Sequence, residues 1–192
     1  TGYYNGYVSF CTEDASAEFR NFHHGSTDAT WTWISSEGEA VHNSINTKHT
    51  TYNGREMTTI CTLPGYAFTD FVVTAKLDVT KQKKDLPTAS GLLLCASESK
   101  PSQEDGVFVY IDGEGKLALS VNGTDKASYT LPDTNAVTIL IVKQSGNYKV
   151  FLKGIAEPIL EYTEDYNRGG VLAVHTINGA GTFVNVNIEN LQ

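Results

Sequence analysis

Gly169-Gly170-Val171-Leu172-Ala173-Val174-His175-Thr176-Ile177-Asn178 is followed, after Gly179-Ala180-Gly181, by Thr182-Phe183-Val184-Asn185-Val186-Asn187-Ile188. Both segments alternate, and a period of two belongs to a strand, whose successive side chains leave opposite faces. In the first, Leu172, Val174 and Thr176 take the core side, which leaves Ala173 and His175 outside. The same rhythm runs back through the chain. Val107, Val109 and Ile111 alternate with Phe108, Tyr110 and Asp112, and Leu117, Leu119 and Val121 follow the turn Asp112-Gly113-Glu114-Gly115, so this pair predicts a hairpin. Val137, Ile139 and Ile141 form a strand, and residues 147–153 pair with 158–162. Phe71, Val73, Ala75, Leu77 and Val79 put their odd positions toward a core.

Many short strands between turns predict an all-β, two-sheet antiparallel β-sandwich of jelly-roll type. The chain has 192 residues, 40% of them hydrophobic, which suits one domain spanning 1–192. It begins at Thr1 with neither an initiator Met nor a signal peptide, so it is expected to be an excised piece of a larger multidomain protein. The one helical candidate is residues 13–19, and Tyr3, Tyr4, Tyr7 and Phe10 are expected to add a strand. Residues 81–88 and 98–104 read as surface loops.

The net charge is -8, and Lys and Arg are scattered apart from Lys81, Lys83 and Lys84. No basic stripe is available to neutralise phosphates, which argues against nucleic acid as a partner. No apolar run approaches the roughly 20 residues of a membrane-spanning helix, so no membrane insertion is expected. Of the three cysteines, Cys95 lies in Leu92-Leu93-Leu94-Cys95-Ala96 and is expected to be a buried thiol. Whether Cys11 and Cys61 pair is open, and no two cysteines have zinc-ligand spacing.

Several motifs carry a family likeness: Asn21-Phe22, Thr30-Trp31-Thr32-Trp33, Gly38-Glu39-Ala40-Val41, residues 68–77, Gly91-Leu92-Leu93-Leu94, Gly106-Val107-Phe108-Val109-Tyr110-Ile111-Asp112, residues 159–165 and the closing strands. With them the chain resembles the concanavalin-like, laminin-G-like sandwiches appended to bacterial glycan-degrading enzymes. It most resembles carbohydrate-binding module family 66 and is similar to the C-terminal sandwich of family 32 glycoside hydrolases. The resemblance implies a non-catalytic module of a secreted or cell-surface bacterial enzyme. Its partners would be a polysaccharide or oligosaccharide, such as a fructan or a terminal sugar, and a covalently linked catalytic domain. Two departures stand out. Where many relatives have an Arg after the glycine-led strand, this chain has Cys95-Ala96-Ser97; where many have Arg and Trp in the penultimate strand, it has His175 and Ile177.

A sugar site needs an aromatic face for the ring's C–H patch and polar groups for vicinal hydroxyls. Tyr110 and Asp112 share an outward strand face, and the resemblance brings the His175 strand beside them. In that reading His175 stands in for the relatives' Arg. The opposing reading is that Asp112 opens a turn while Tyr110 covers the sheet. Trp33, Arg55, Glu56, Arg168 and Asn178 complete the candidate ligand set. Arg55-Glu56 follows the turn Asn53-Gly54, and Arg168 lies in the polar loop Tyr166-Asn167-Arg168-Gly169. His23-His24 lack an acidic pair at ligand spacing and read as a loop. No cofactor is expected. A structural calcium ion remains open, with Asp14, Asp28 and Glu189 as candidates without a motif.

Enzyme signals are weak. Retaining glycosidases need two carboxyls about 5–5.5 Å apart, and no strand carries an acid-rich Glu-x-Asp-x-x-Glu pattern. Glu37 and Glu39 come nearest, beside Ser35-Ser36 and Gly38, and read as a turn. Alternatives to sugar binding are a structural sandwich packed on a glycoside hydrolase domain and a protein-binding adhesive domain. A glycosidase or lyase on this fold stands last.

Overall fold

The structure is a computed structural model. It describes residues 32–35, 37–41, 44–48, 58–62, 68–81, 87–97, 101–132 and 136–191. The sequence-stretch expectations for residues 1–31, Asn53-Gly54, Arg55 and Glu56 lie outside these residues, as does the question of a Cys11–Cys61 pair.

Two seven-stranded antiparallel sheets make up the described chain. The first runs β1 (Thr32–Ser35), β4 (Thr58–Thr62), β13 (Val171–Ile177), β6 (Ala89–Ala96), β7 (Val107–Asp112), β8 (Lys116–Val121) and β9 (Thr124–Thr130). The second runs β12 (Leu160–Thr163), β11 (Asn147–Leu152), β10 (Ala136–Gln144), β5 (Phe71–Lys81), β14 (Gly179–Asn190), β3 (Ser44–Lys48) and β2 (Glu37–Val41). Sequence-distant strands pair at the centre of each sheet, β13 with β6 and β14 with β5. No described helix is long and apolar enough to cross a membrane.

The core between the sheets is built from the alternating faces. Phe71, Val73, Ala75, Leu77 and Val79 of β5 all bury, and they share one cluster with Leu92, Val107, Val109, Ile111, Leu172 and Val174 of the first sheet. Burying such a side chain stabilises by about 1.5–3 kcal/mol, so the two-residue period is the main determinant of which face turns inward. The other face of the first sheet is also apolar. Leu93, Phe108, Val171, Ala173 and Ile177 form a second buried cluster there, with Tyr110 packed against it. This explains the near-continuous apolar run of β6, which is buried on both faces.

Two readings change. Glu37-Gly38-Glu39 is not a turn but the start of β2, paired with β3 from Glu37↔Lys48 to Val41↔Ser44. β2 lies at a sheet edge. The second change is β9, which the period left unread. It is an edge strand with polar residues at most positions, so it has little apolar alternation to find. Its signal was instead the turn Asn122-Gly123, where both residues have positive φ (49° and 75°) and suit a tight hairpin.

Cys95 is buried and free, as its neighbours predict. It has φ 53° at a register shift between β6 and β13. Gly170 packs against this bulge: a Cβ there would lie 2.5 Å from the Cys95 carbonyl carbon and 2.5 Å from the Ala96 oxygen. Only glycine lets the two backbones approach this closely.

Candidate functional site

The residues singled out from the sequence separate into a closed sheet face and an open rim. On the first sheet, Tyr110 and His175 flank Gly91, through the registers Gly91↔Tyr110 and His175↔Gly91. The alternation that put them on a common outward face therefore holds. Both rings pack on Phe108: Tyr110 stacks at 4.7 Å between centroids, and His175 tilts against it at 5.0 Å. The result is a closed aromatic layer. His175 is 2% exposed, and Phe108 is 1% exposed. The Tyr110 hydroxyl donates to Asp125 Oδ1 at 2.8 Å, and Lys116 Nζ lies 3.4 Å from Asp125 Oδ2. Burial, and then the Asp125 bond, push the Tyr110 phenol well above its ordinary range.

Asp112 sits at the end of this face and serves the turn. Its Oδ1 accepts the N–H groups of Glu114 (2.8 Å) and Lys116 (2.9 Å), which closes the β7–β8 hairpin. Asn178 is likewise a turn residue, buried, with φ 50°, and its Nδ2 donates to the Pro87 carbonyl. Trp33 lies in β1 opposite Cys61 of β4, while Arg55 and Glu56 fall outside the described residues. Glu189 is exposed and accepts from Asn187 Nδ2. Asp14 and Asp28 are outside the described residues. Among the described residues, no three His, Cys, Asp or Glu side chains group as a metal site.

Arg168 has a different setting. Edge strand β9 of one sheet and edge strand β12 of the other approach each other, and the 164–168 loop continues from β12. Between them is a cleft of about 300 Å³, lined by Asn122, Thr124, Lys126, Tyr162, Asp165, Tyr166 and others. That volume lies at the lower end of small-molecule sites, about 300–1,000 Å³. Tyr166 is 60% exposed, and Lys126 and Asp165 are exposed beside it.

Arg168 forms the inner wall of this cleft. Its Nη2 contacts Glu164 Oε1 at 2.8 Å and the Tyr166 hydroxyl at 2.7 Å, and its Nη1 donates to Asn122 Oδ1 at 2.9 Å. The guanidinium also lies 5.4 Å from the Tyr166 ring centroid. Burial is the largest single influence and works to lower its proton affinity, but Glu164, Tyr166 and Tyr148 together outweigh it and hold the guanidinium above its ordinary value. Glu164 is buried, and its second oxygen accepts from the Tyr148 hydroxyl at 2.9 Å. Tyr148 reaches Cys95 Sγ at 3.7 Å, and burial is the main cause that raises both the phenol and the thiol.

A second polar group lies behind the same loop. Lys143 is fully buried, with Nζ bonded to the Thr69 carbonyl and to Asn167 Oδ1, and 3.9 Å from Asp70 Oδ1. Hydrogen bonds from Asn167 and from the Ser145 N–H hold the Asp70 carboxyl below its usual value. Lys143, Glu164, Tyr166 and Lys126 were not in the sequence-derived set. Lys143 had a legible signal: it occupies an inward position after Val137, Ile139 and Ile141.

No protein-family model and no curated protein matches the chain. Solved structures do. The chain is similar to the family 66 carbohydrate-binding module from Bacillus subtilis, with 13% identity, 84% of this chain and 96% of that one covered, and a TM-score of 0.64. The chain has the two-sheet antiparallel jelly-roll fold. A legume lectin-like domain from Entamoeba histolytica shares this jelly roll at 12% identity, covering 86% of this chain and 92% of that one, with a TM-score of 0.56. So does a β-glucanase from Bacillus licheniformis, at 10% identity, 91% and 96% coverage, and a TM-score of 0.56. At such identities the likeness shows the jelly roll alone, and it spans binding modules and a hydrolase.

Proposed function

We propose that this jelly roll is a non-catalytic carbohydrate-binding module and that the Tyr166–Arg168 cleft is its sugar site. The observation that carries the reading is one exposed aromatic ring fixed beside exposed groups of both signs. Tyr166 offers a stacking face for a sugar's C–H patch, and its hydroxyl is held by Arg168. Lys126 can donate to hydroxyls and Asp165 can accept from them. Glu164 has each carboxylate oxygen engaged, one by Arg168 and one by Tyr148, so it serves as a fixed wall and not as a free acid. The name of the family 66 neighbour agrees with this reading. In it the domain is secreted or displayed at a cell surface and holds a linked catalytic domain near its glycan.

The test is titration calorimetry against a panel of fructans and other plant and host glycans. Wild type should bind at least one with roughly micromolar to millimolar affinity, about -8 to -4 kcal/mol. Tyr166→Ala should weaken that binding about tenfold, or about 1.4 kcal/mol. Full retention of affinity in this variant would move the site away from the cleft.

A second reading is a structural sandwich that packs on a catalytic domain. It is favoured by an apolar hollow of about 460 Å³ on the second sheet, lined by Leu140, Phe151, Ile155 and Ala156 among others. Ile155 is 42% exposed there. Absence of glycan binding across the panel would favour this alternative.

A further inference from the structure

Lys143 violates the pattern of its own strand. Along β10 the inward positions are Val137, Ile139 and Ile141, and the next is a lysine with no exposed surface. A buried ammonium is costly unless its environment supplies charge and acceptors. Here the environment supplies both. The Phe71 and Tyr148 rings lie 5.9 and 5.5 Å from Nζ, the Asp70 carboxylate lies 3.9 Å away, and two oxygens accept its protons.

One of those oxygens belongs to Asn167, the residue between Tyr166 and Arg168. Every polar atom of that carboxamide is used. Its Oδ1 accepts from Lys143 Nζ and from the Gly146 N–H at 3.0 Å, and its Nδ2 donates to Asp70 Oδ1 at 3.0 Å. Asp70 in turn accepts the Ser145 N–H at 2.9 Å. The loop is therefore tied at its middle to the start of β5 and to the β10–β11 turn, while the residues on either side form the cleft wall.

We propose that Lys143 and Asn167 are positioning residues: the buried ammonium fixes Asn167, and Asn167 sets the Tyr166–Arg168 arm. The part of this inference that concerns ligand affinity rests on the cleft being the sugar site. The part that concerns the arm does not.

The experiment uses the whole chain and follows trypsin cleavage after Arg168, with cleavage after exposed Lys153 as internal reference. Wild type should resist at Arg168, whose side chain is 10% exposed and clamped by Glu164, Asn122 and Tyr166. Asn167→Ala should speed that cleavage about tenfold or more, as local opening does, and leave the Lys153 rate and the amide exchange of β6, β7 and β8, which hold none of the Asn167 partners, unchanged. Lys143→Met should release the same arm; if that variant does not fold, Asn167→Ala decides. An Arg168 site as resistant as wild type in Asn167→Ala would overturn the proposal. So would faster exchange throughout both sheets in step with Arg168 cleavage, because that marks general destabilisation. For any glycan that binds wild type, Asn167→Ala should also lower affinity, roughly tenfold. If no glycan binds wild type, the sugar reading fails, and the protease result still decides the role of Lys143 and Asn167.

Discussion

Phe108, Tyr110 and His175 on the first sheet and Tyr166 with Arg168 at the rim are both groups of aromatic rings beside nitrogen-bearing side chains. They differ in what is left over for a ligand. On the sheet the rings stack on one another, the Tyr110 hydroxyl is committed to Asp125, and His175 is buried. At the rim both terminal nitrogens of Arg168 are committed to its neighbours, but the Tyr166 ring is 60% exposed, with Lys126 and Asp165 exposed nearby. The first group has the interaction pattern of a core and the second that of a binding wall. Residue type alone does not separate them; the number of unsatisfied faces does.

The contrast can be broken by substitution. The largest effect should come from Phe108→Ala, which empties the centre of the sheet layer and should cost about 3–5 kcal/mol of stability by denaturant titration. Tyr166→Ala, by contrast, loses the bond to Arg168 and little packing, and should cost no more than about 1.5 kcal/mol. If the two cost the same, the sheet face is not the core that the packing describes. Asp112→Ala removes the acceptor of two turn N–H groups and should cost about 1 kcal/mol, with glycan affinity unchanged. A loss of affinity there would return the site to the sheet face.

The smallest effect concerns pH. Asp70 has a folded-state value below its unfolded one, so its contribution is complete above the ordinary carboxylate range and is lost as pH falls through the lowered value. The Asn167 side-chain amide signals should therefore stay constant from about pH 8 to 5 and shift only below about pH 4. A midpoint above the ordinary aspartate value would contradict the bonding seen around Asp70.

Much of the sandwich was legible because burial on one face imposes a period of two. β5, β7, β8, β10, β11, β13 and β14 all announce themselves in this way. β9 did not, because a polar edge strand has no core face to advertise. The site was harder. Tyr110 and His175 were placed on the right face, but alternation cannot tell an open face from a covered one. Arg168 was named from its loop, whereas Glu164, which holds it, sits just beyond β12 where no period applies. Lys126 was missed along with its strand. Lys143 was readable as a lysine on a core register, although its partner Asn167 is 24 residues away and only the fold joins them.

The most direct test of the central claim is to map a bound glycan residue by residue. Amide spectra of the labelled domain, recorded during titration with a glycan that binds by calorimetry, should shift at Asn122, Thr124, Lys126, Asp165, Tyr166 and Arg168. The signals of Gly91, Phe108, Tyr110 and His175 should stay in place. Shifts centred on Gly91, Tyr110 and His175, with the rim unmoved, would contradict the account.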